Sequence, residues 1–182
     1  MKLSAVIASL AAAGSSVAAP SEPKTFNLMA LRSASPIHFA PVSAARSSIF
    51  LNLKDQGAEC KGDSYNRATF YLKDGGLFLY SKGGKRQQIF VDRSGMGQGK
   101  MGYLTDNTYP PPHFELTGWT IDKYEDLNFK GISLLACPGS FQDAWSVWVV
   151  TDNLTPGGNK GCLGIISRTI SITKPVSCEY SQ

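Results

Sequence analysis

No long segment of this chain repeats its apolar residues at the 3.6-residue period of an amphipathic helix. Short alternating runs recur instead, each cut off by Gly, Pro, Asn or Asp. In "RATFYLKDGGLFLYS" two runs rich in aromatic and aliphatic residues flank Asp74-Gly75-Gly76. Asp-Gly tolerates the positive φ angles of a tight reversal, so a β-hairpin is predicted there. "AWSVWVV" sets Trp145, Val147 and Val149 on one face and Ser146, Trp148 and Val150 on the other, the pattern of a central strand covered on both sides. "SPIHFAPV" reads as an edge or strand end between Pro36 and Pro41, with Ile37 and Phe39 on one face and His38 on the other. Toward the C-terminus Ile166, Ile170 and Ile172 alternate with Ser167, Thr169 and Ser171, which predicts a half-buried strand.

The class expected from these runs is all-β. "TFYLKDGGLFLYSKGGKRQQIFV" and "GWTIDKYEDLNFKGISLLACPGSFQDAWSVWV" share one order: aromatic strand, turn, apolar strand, turn, apolar strand. "FNLMALRSASPIHFAPVSAARSSIFLNL" reads as a third copy. Three units at roughly 45-residue spacing favour a β-trefoil, and a β-sandwich of the same strands is the alternative.

A chain of 182 residues has room for one domain with its own core. Its N-terminus, "MKLSAVIASLAAAGSSVAAPSEP", places one Lys before an apolar stretch and small residues at Ser16-Val17-Ala18. That order predicts a secretory signal peptide over residues 1–18 and a single all-β domain over residues 19–182. The apolar stretch is too short and too diluted by Ser and Gly to span a membrane. The polar "KPVSCEYSQ" at the other end does not read as a lipid-anchor signal, so an exported protein without a membrane anchor is expected. The net charge of +4 is not concentrated in any run of Lys or Arg, "GGKRQQ" being the nearest, so no nucleic-acid partner is expected.

Four cysteines, Cys60, Cys137, Cys162 and Cys178, suit two disulfides in an exported chain, and their spacing contains no C-x-x-C that would suggest zinc. Of the three connectivities open to four cysteines, the expected one joins Cys137 to Cys162 across a loop holding Gly157-Gly158, and so Cys60 to Cys178. Asn153-Leu154-Thr155 is a glycosylation sequon, with Asn153 as acceptor and Pro156 following it.

"VDRSGMGQGKMGY" holds a literal G-x-G-x-x-G from Gly97 to Gly102. A dinucleotide site needs a helix opening directly behind it, but the chain runs on to Pro110-Pro111-Pro112. A phosphate-binding Walker loop needs Ser or Thr where Met101 stands. The segment is therefore expected to be a glycine-rich connection between strands, and no cofactor is expected.

Candidates for chemistry are sparse. His38 and His113 have no neighbours at metal-ligand spacing, and no G-x-S-x-G occurs. Asp92, Asp106, Glu115, Asp122 and Asp126 offer carboxylates, with nothing to select a catalytic pair among them. Trp119, Trp145, Trp148, Tyr71, Tyr80, Tyr103, Tyr109 and Tyr124 are candidate platforms for sugar rings, Tyr109 being the best placed for exposure. No catalytic, cofactor-binding or metal-binding residue is assigned, and the expectation is a non-enzyme.

The blocks "LRSASPIHFAPVSAARSSIFLNL", "FYLKDGGLFLYS", "QQIFVDRSGMGQGKMGY", "GWTID", "LNFKG", "LLACPGS" and "AWSVWVV" resemble the fungal cell wall protein PhiA family, over about Phe26 to Tyr180. The resemblance implies a secreted wall protein acting in asexual development, in phialide and conidium formation, and in stress protection. It also implies kinship with allergens, and it supplies no catalytic residue. Cell wall polysaccharide is the partner it admits. A glycan-binding module or a protease inhibitor is the alternative, with a wall-polysaccharide enzyme behind both.

Overall fold

Asp74 and Gly75 take φ angles of 50° and 73°, the two consecutive left-handed residues that a two-residue hairpin turn demands. They join β5 (Thr69–Lys73) to β6 (Gly76–Leu79), with Lys73 opposite Gly76 and Tyr71 opposite Phe78. This computed structural model describes residues 23–106 and 108–182, and the signal segment predicted over residues 1–18 lies outside the described residues.

The remaining strands are β1 (Thr25–Leu31), β2 (Val42–Ala45), β3 (Ser48–Leu51), β4 (Glu59–Cys60), β7 (Gln87–Asp92), β8 (Lys100–Thr105) and β9 (Phe114–Glu115). They continue with β10 (Trp119–Ile121), β11 (Asp126–Phe129), β12 (Leu134–Cys137), β13 (Trp145–Val149), β14 (Leu163–Ile172) and β15 (Cys178–Glu179). The all-β expectation holds. Antiparallel pairing runs β1-β5-β6-β7-β8-β3-β13-β12-β14, and β14 returns to β1 over seven residue pairs. The ladder closes on itself into a barrel-like sheet, which leaves few free strand edges. Strands β2, β9 and the β10–β11 hairpin branch from this ring, and β4 with β15 forms a separate two-stranded ribbon.

The ring encloses the main core. Phe70, Leu77 and Ile89 are fully buried on its inner side, beside Met101, Val147 and Val149. Removing a side chain such as Phe70 from water is worth about 1.5–3 kcal/mol. Strand β13 is buried on both faces: Val147 and Val149 face the main core, and Trp148 packs outside with Leu135 and Cys137. Its indole N–H donates to Ser146 Oγ at 2.9 Å, so the polar atom entering this outer cluster is satisfied.

Strand β14 alternates as expected, but the hydroxyl face is the buried one. Ser167 and Thr169 point inward, while Ile166 and Ile170 are exposed. The register with β1 explains this. Ala30 and Leu28, buried on the inner side of β1, stand opposite Ser167 and Thr169, so those four residues share a face. The segment from Pro36 to Pro41 is a turn rather than a strand. Ile37 is fully buried, and Phe39 is 61% exposed at a φ of 63°. Ala30 holds this reversal from both sides, receiving the Phe39 N–H on its carbonyl at 2.8 Å and donating its own N–H to Ala40 at 2.9 Å.

Two disulfides staple the chain. Cys60 joins Cys178 across the β4–β15 ribbon, and Cys137 joins Cys162 beside Trp148. The chain-entropy model assigns bridges of these loop lengths about 3–5 kcal/mol each.

Candidate functional site

The glycine segment is a folded clasp between β7 and β8. Asp92 Oδ1 accepts the Ser94 N–H at 2.9 Å, Ser94 Oγ accepts the Gly97 N–H at 2.9 Å, and the Gly99 N–H returns to the Asp92 carbonyl at 2.7 Å. Gly97 leaves room for the Asp92 carboxylate, since a Cβ there would lie 1.9 Å from Asp92 Cγ. Gly99 takes a φ of 94° and lies so close to β13 that a Cβ would sit 2.4 Å from the Val149 carbonyl oxygen. Between them Gln98 reaches outward. Its Oε1 accepts from Asn153 Nδ2 at 2.7 Å and from the Gly157 N–H at 2.8 Å. No helix opens behind the loop; strand β8 does. The N–H groups of Ser94, Gly97, Gln98, Gly99 and Lys100 are spent within the loop's own turn.

Asn153 is thereby engaged on every side. Its Oδ1 accepts the Thr155 N–H at 2.9 Å and the Thr155 hydroxyl at 3.1 Å, and its amide nitrogen serves Gln98.

The candidate acids also have structural duties. Glu115 bridges Arg93 at 3.2 Å and Lys130 at 2.8 Å, and the hydrogen bond from Lys130 holds its carboxyl below the usual range. Asp126 pairs with Arg168 at 2.5 Å. Asp122 Oδ1 accepts the backbone N–H groups of Tyr124 and Asp126, which closes the β10–β11 turn. Asp106 accepts the Arg86 N–H at 3.1 Å. His38 Nδ1 accepts the Arg32 N–H at 3.1 Å, and His113 is an exposed turn residue at a φ of 72°.

The aromatic candidates divide sharply. Trp119, Tyr103, Trp148 and Tyr80 are buried, Trp145 is half-buried against the core, and Tyr109 and Tyr124 stand exposed on loops. Tyr71 is different. Tyr71, Phe78 and Gln88 lie directly opposite one another on β5, β6 and β7, so their side chains share the outer face of the ring. The Tyr71 ring stacks on Phe78 at 5.1 Å with 17° between planes and meets Tyr80 edge-on at 6.5 Å. The Arg86 guanidinium lies 5.5 Å from the Phe78 ring centre and donates to Gln88 Oε1 at 2.8 Å. Partial burial raises the Tyr71 phenol above its ordinary value, against the opposing charge of Arg86.

The result is an aromatic face with the Arg86 guanidinium fixed at its border by the buried Gln88, whose Nε2 also donates to the Leu116 carbonyl at 3.5 Å. Such a face can stack on an apolar ring surface while offering hydrogen bonds at its edge. Sequence reasoning picked out Tyr71 and Tyr80 but passed over Phe78, Arg86 and Gln88. The hairpin carried a signal for one of them, because a two-residue Asp74-Gly75 turn forces Tyr71 opposite Phe78.

Comparison with known proteins decides the family. A family model described as "PhiA-like secreted protein" matches residues 26–181. The chain belongs to this family. A relative named "Cell wall protein phiA" from Emericella nidulans is 47% identical over 182 residues, the whole of both chains. Proteins of the same name from Aspergillus fumigatus and Arthroderma benhamiae are each 46% identical, over 97% and 100% of both chains. No solved structure matches the chain. In this PhiA-like protein the glycine-rich block is thus a strand connection within an all-β secreted fold.

Proposed function

We propose that this PhiA-like protein is a non-catalytic structural and protective component of the fungal cell wall. It serves asexual development, in phialide and conidium formation, and stress protection. The observation that carries this reading is its end-to-end similarity to relatives named as cell wall proteins. The engagement of Glu115, Asp126, Asp122 and Asp106 in ion pairs and turns supports the non-catalytic part. Non-covalent retention in a wall needs only several weak contacts acting together, each worth about 1 kcal/mol per stacked ring or cation–π pair.

The test is fractionation of sporulating cultures of the producing fungus with an antibody to the protein, together with a strain lacking the gene. The expected result is protein in the wall fraction of phialides and conidia, and fewer conidia with weakened stress tolerance in the mutant. Protein found exclusively in the medium, with normal sporulation in the mutant, contradicts the proposal.

A further inference from the structure

The Tyr71 face continues into a track. Three hollows open to solvent adjoin one another along the outside of β5, β6 and the β4–β15 ribbon. The central one, about 470 Å³, is lined by Pro23, Tyr71, Tyr80 and Ser81. On one side it shares Tyr71 and Lys73 with a hollow of about 320 Å³ that reaches Phe78, Arg86, Gln88 and Thr117. On the other it shares Ser81 and Lys82 with a hollow of about 350 Å³ bounded by Cys60, Gly84 and Glu179.

We propose that this track binds a linear, neutral polysaccharide of pyranose sugars, with Tyr71 stacking on the C–H face of one sugar residue. The inference rests on the wall residence proposed above and names its contact.

Continuity carries the first step. Open hollows that share walls suit a chain passing through them, whereas a small ligand is ordinarily enclosed in one concave site. The lining chemistry carries the second. A pyranose of the glucose type presents a flat face of axial C–H groups and a rim of hydroxyls. Tyr71, already stacked on Phe78, supplies a rigid apolar wall, and the exposed Arg86 guanidinium, held in place by Gln88, supplies fixed donors at the edge. Charge carries the third. Lys61, Lys73, Lys82 and Arg86 line the three hollows, but Glu59, Asp74 and Glu179 line them too, and Glu179 already holds Lys85 at 2.5 Å. A mixed lining of this kind favours a neutral chain over a polyanion.

The experiment is an NMR titration of the secreted protein with three hexasaccharides: β-1,3-linked glucose, β-1,4-linked N-acetylglucosamine, and α-1,4-linked galacturonic acid as the anionic arm. One or both neutral hexamers should shift amides across all three hollows, including Lys73, Ser81 and Gly84, and identify the source polymer. Tyr71→Ala should weaken that binding about tenfold, and Tyr71→Phe should keep it within about twofold, since the ring and not the hydroxyl does the stacking. Arg86→Gln gives a second reading that leaves the ring stack intact, with an expected loss of several-fold. The track is overturned if no neutral hexamer shifts these amides, if shifts map to Tyr109 or Tyr124 instead, if galacturonate binds best, or if folded Tyr71→Ala binds as wild type. None of those results touches wall residence, which fails only if the protein is absent from the wall fraction in the culture experiment.

Discussion

The side chain of Gln87 grips the main chain of Tyr180 at both ends. Its Oε1 accepts the Tyr180 N–H at 2.9 Å and its Nε2 donates to the Tyr180 carbonyl at 2.8 Å, in a site with no solvent exposure at Gln87. A side chain thus does the work of a strand partner and seals the C-terminal segment over the core. The Tyr180 hydroxyl completes the seal by accepting the Thr69 N–H at 3.0 Å.

Gln87→Leu should therefore unfold more easily than wild type. It strands a buried N–H and a buried carbonyl, at about 1–3 kcal/mol for each group left unsatisfied. Urea denaturation with disulfides intact reads this directly, and an unchanged midpoint would show that the grip contributes nothing.

Stability should fall at alkaline pH. Burial pushes the Tyr180 phenol up to about 12 and raises Tyr103 further still, and it raises Tyr71 as well. The unfolded chain loses these protons near a pH of about 10, while the folded chain keeps them. Deprotonation then favours the unfolded state, so the contribution is complete below about 10 and is lost as pH rises through the folded values. Denaturation midpoints measured from pH about 8 to 12 should decline above about 10, and Tyr103→Phe should flatten that decline.

The glycine loop should answer to substitution position by position. Gly99→Ala combines a φ of 94° with the Val149 carbonyl in its way, and Gly97→Ala drives a methyl into the Asp92 carboxylate. Each should cost about 1–3 kcal/mol. Gly95→Ala, which meets nothing within 4 Å, should be close to neutral. Thermal melts of the three variants check the order. A nucleotide that raises the wild-type melting temperature but not that of Gly99→Ala would contradict the structural role.

Asn153 should accept a glycan only before its loop closes, because the folded amide is committed to Gln98 and Thr155. Pro156→Ala and Gln98→Ala should both raise occupancy, read as the mass lost on enzymatic deglycosylation. Equal occupancy in wild type and both variants would contradict this order of events.

Local signals were the legible part of the fold. Asp74-Gly75 announced the hairpin, and the doubly apolar run of β13 announced a strand covered on both faces. Phase and register were harder to read. The isoleucines of β14 look like a buried stripe until β1 lies alongside and claims the interior for Leu28 and Ala30. The strand expected around Phe39 gave way to a turn, in which Phe39 takes a φ of 63° and gives its N–H to the Ala30 carbonyl. The candidate site was half visible for the same reason: Tyr71 could be named from composition, but its alignment with Phe78 and Gln88 is a property of three strands together.

Wall binding without turnover is the centre of this account, and both halves can be measured in one tube. The purified secreted protein is mixed with isolated hyphal walls, and bound protein and soluble sugar are followed over time. The account predicts saturable binding that salt elutes only in part, with sugar release no faster than from walls alone. Steady release of oligosaccharide that disappears on changing a single carboxylate, such as Glu115→Gln, would contradict it.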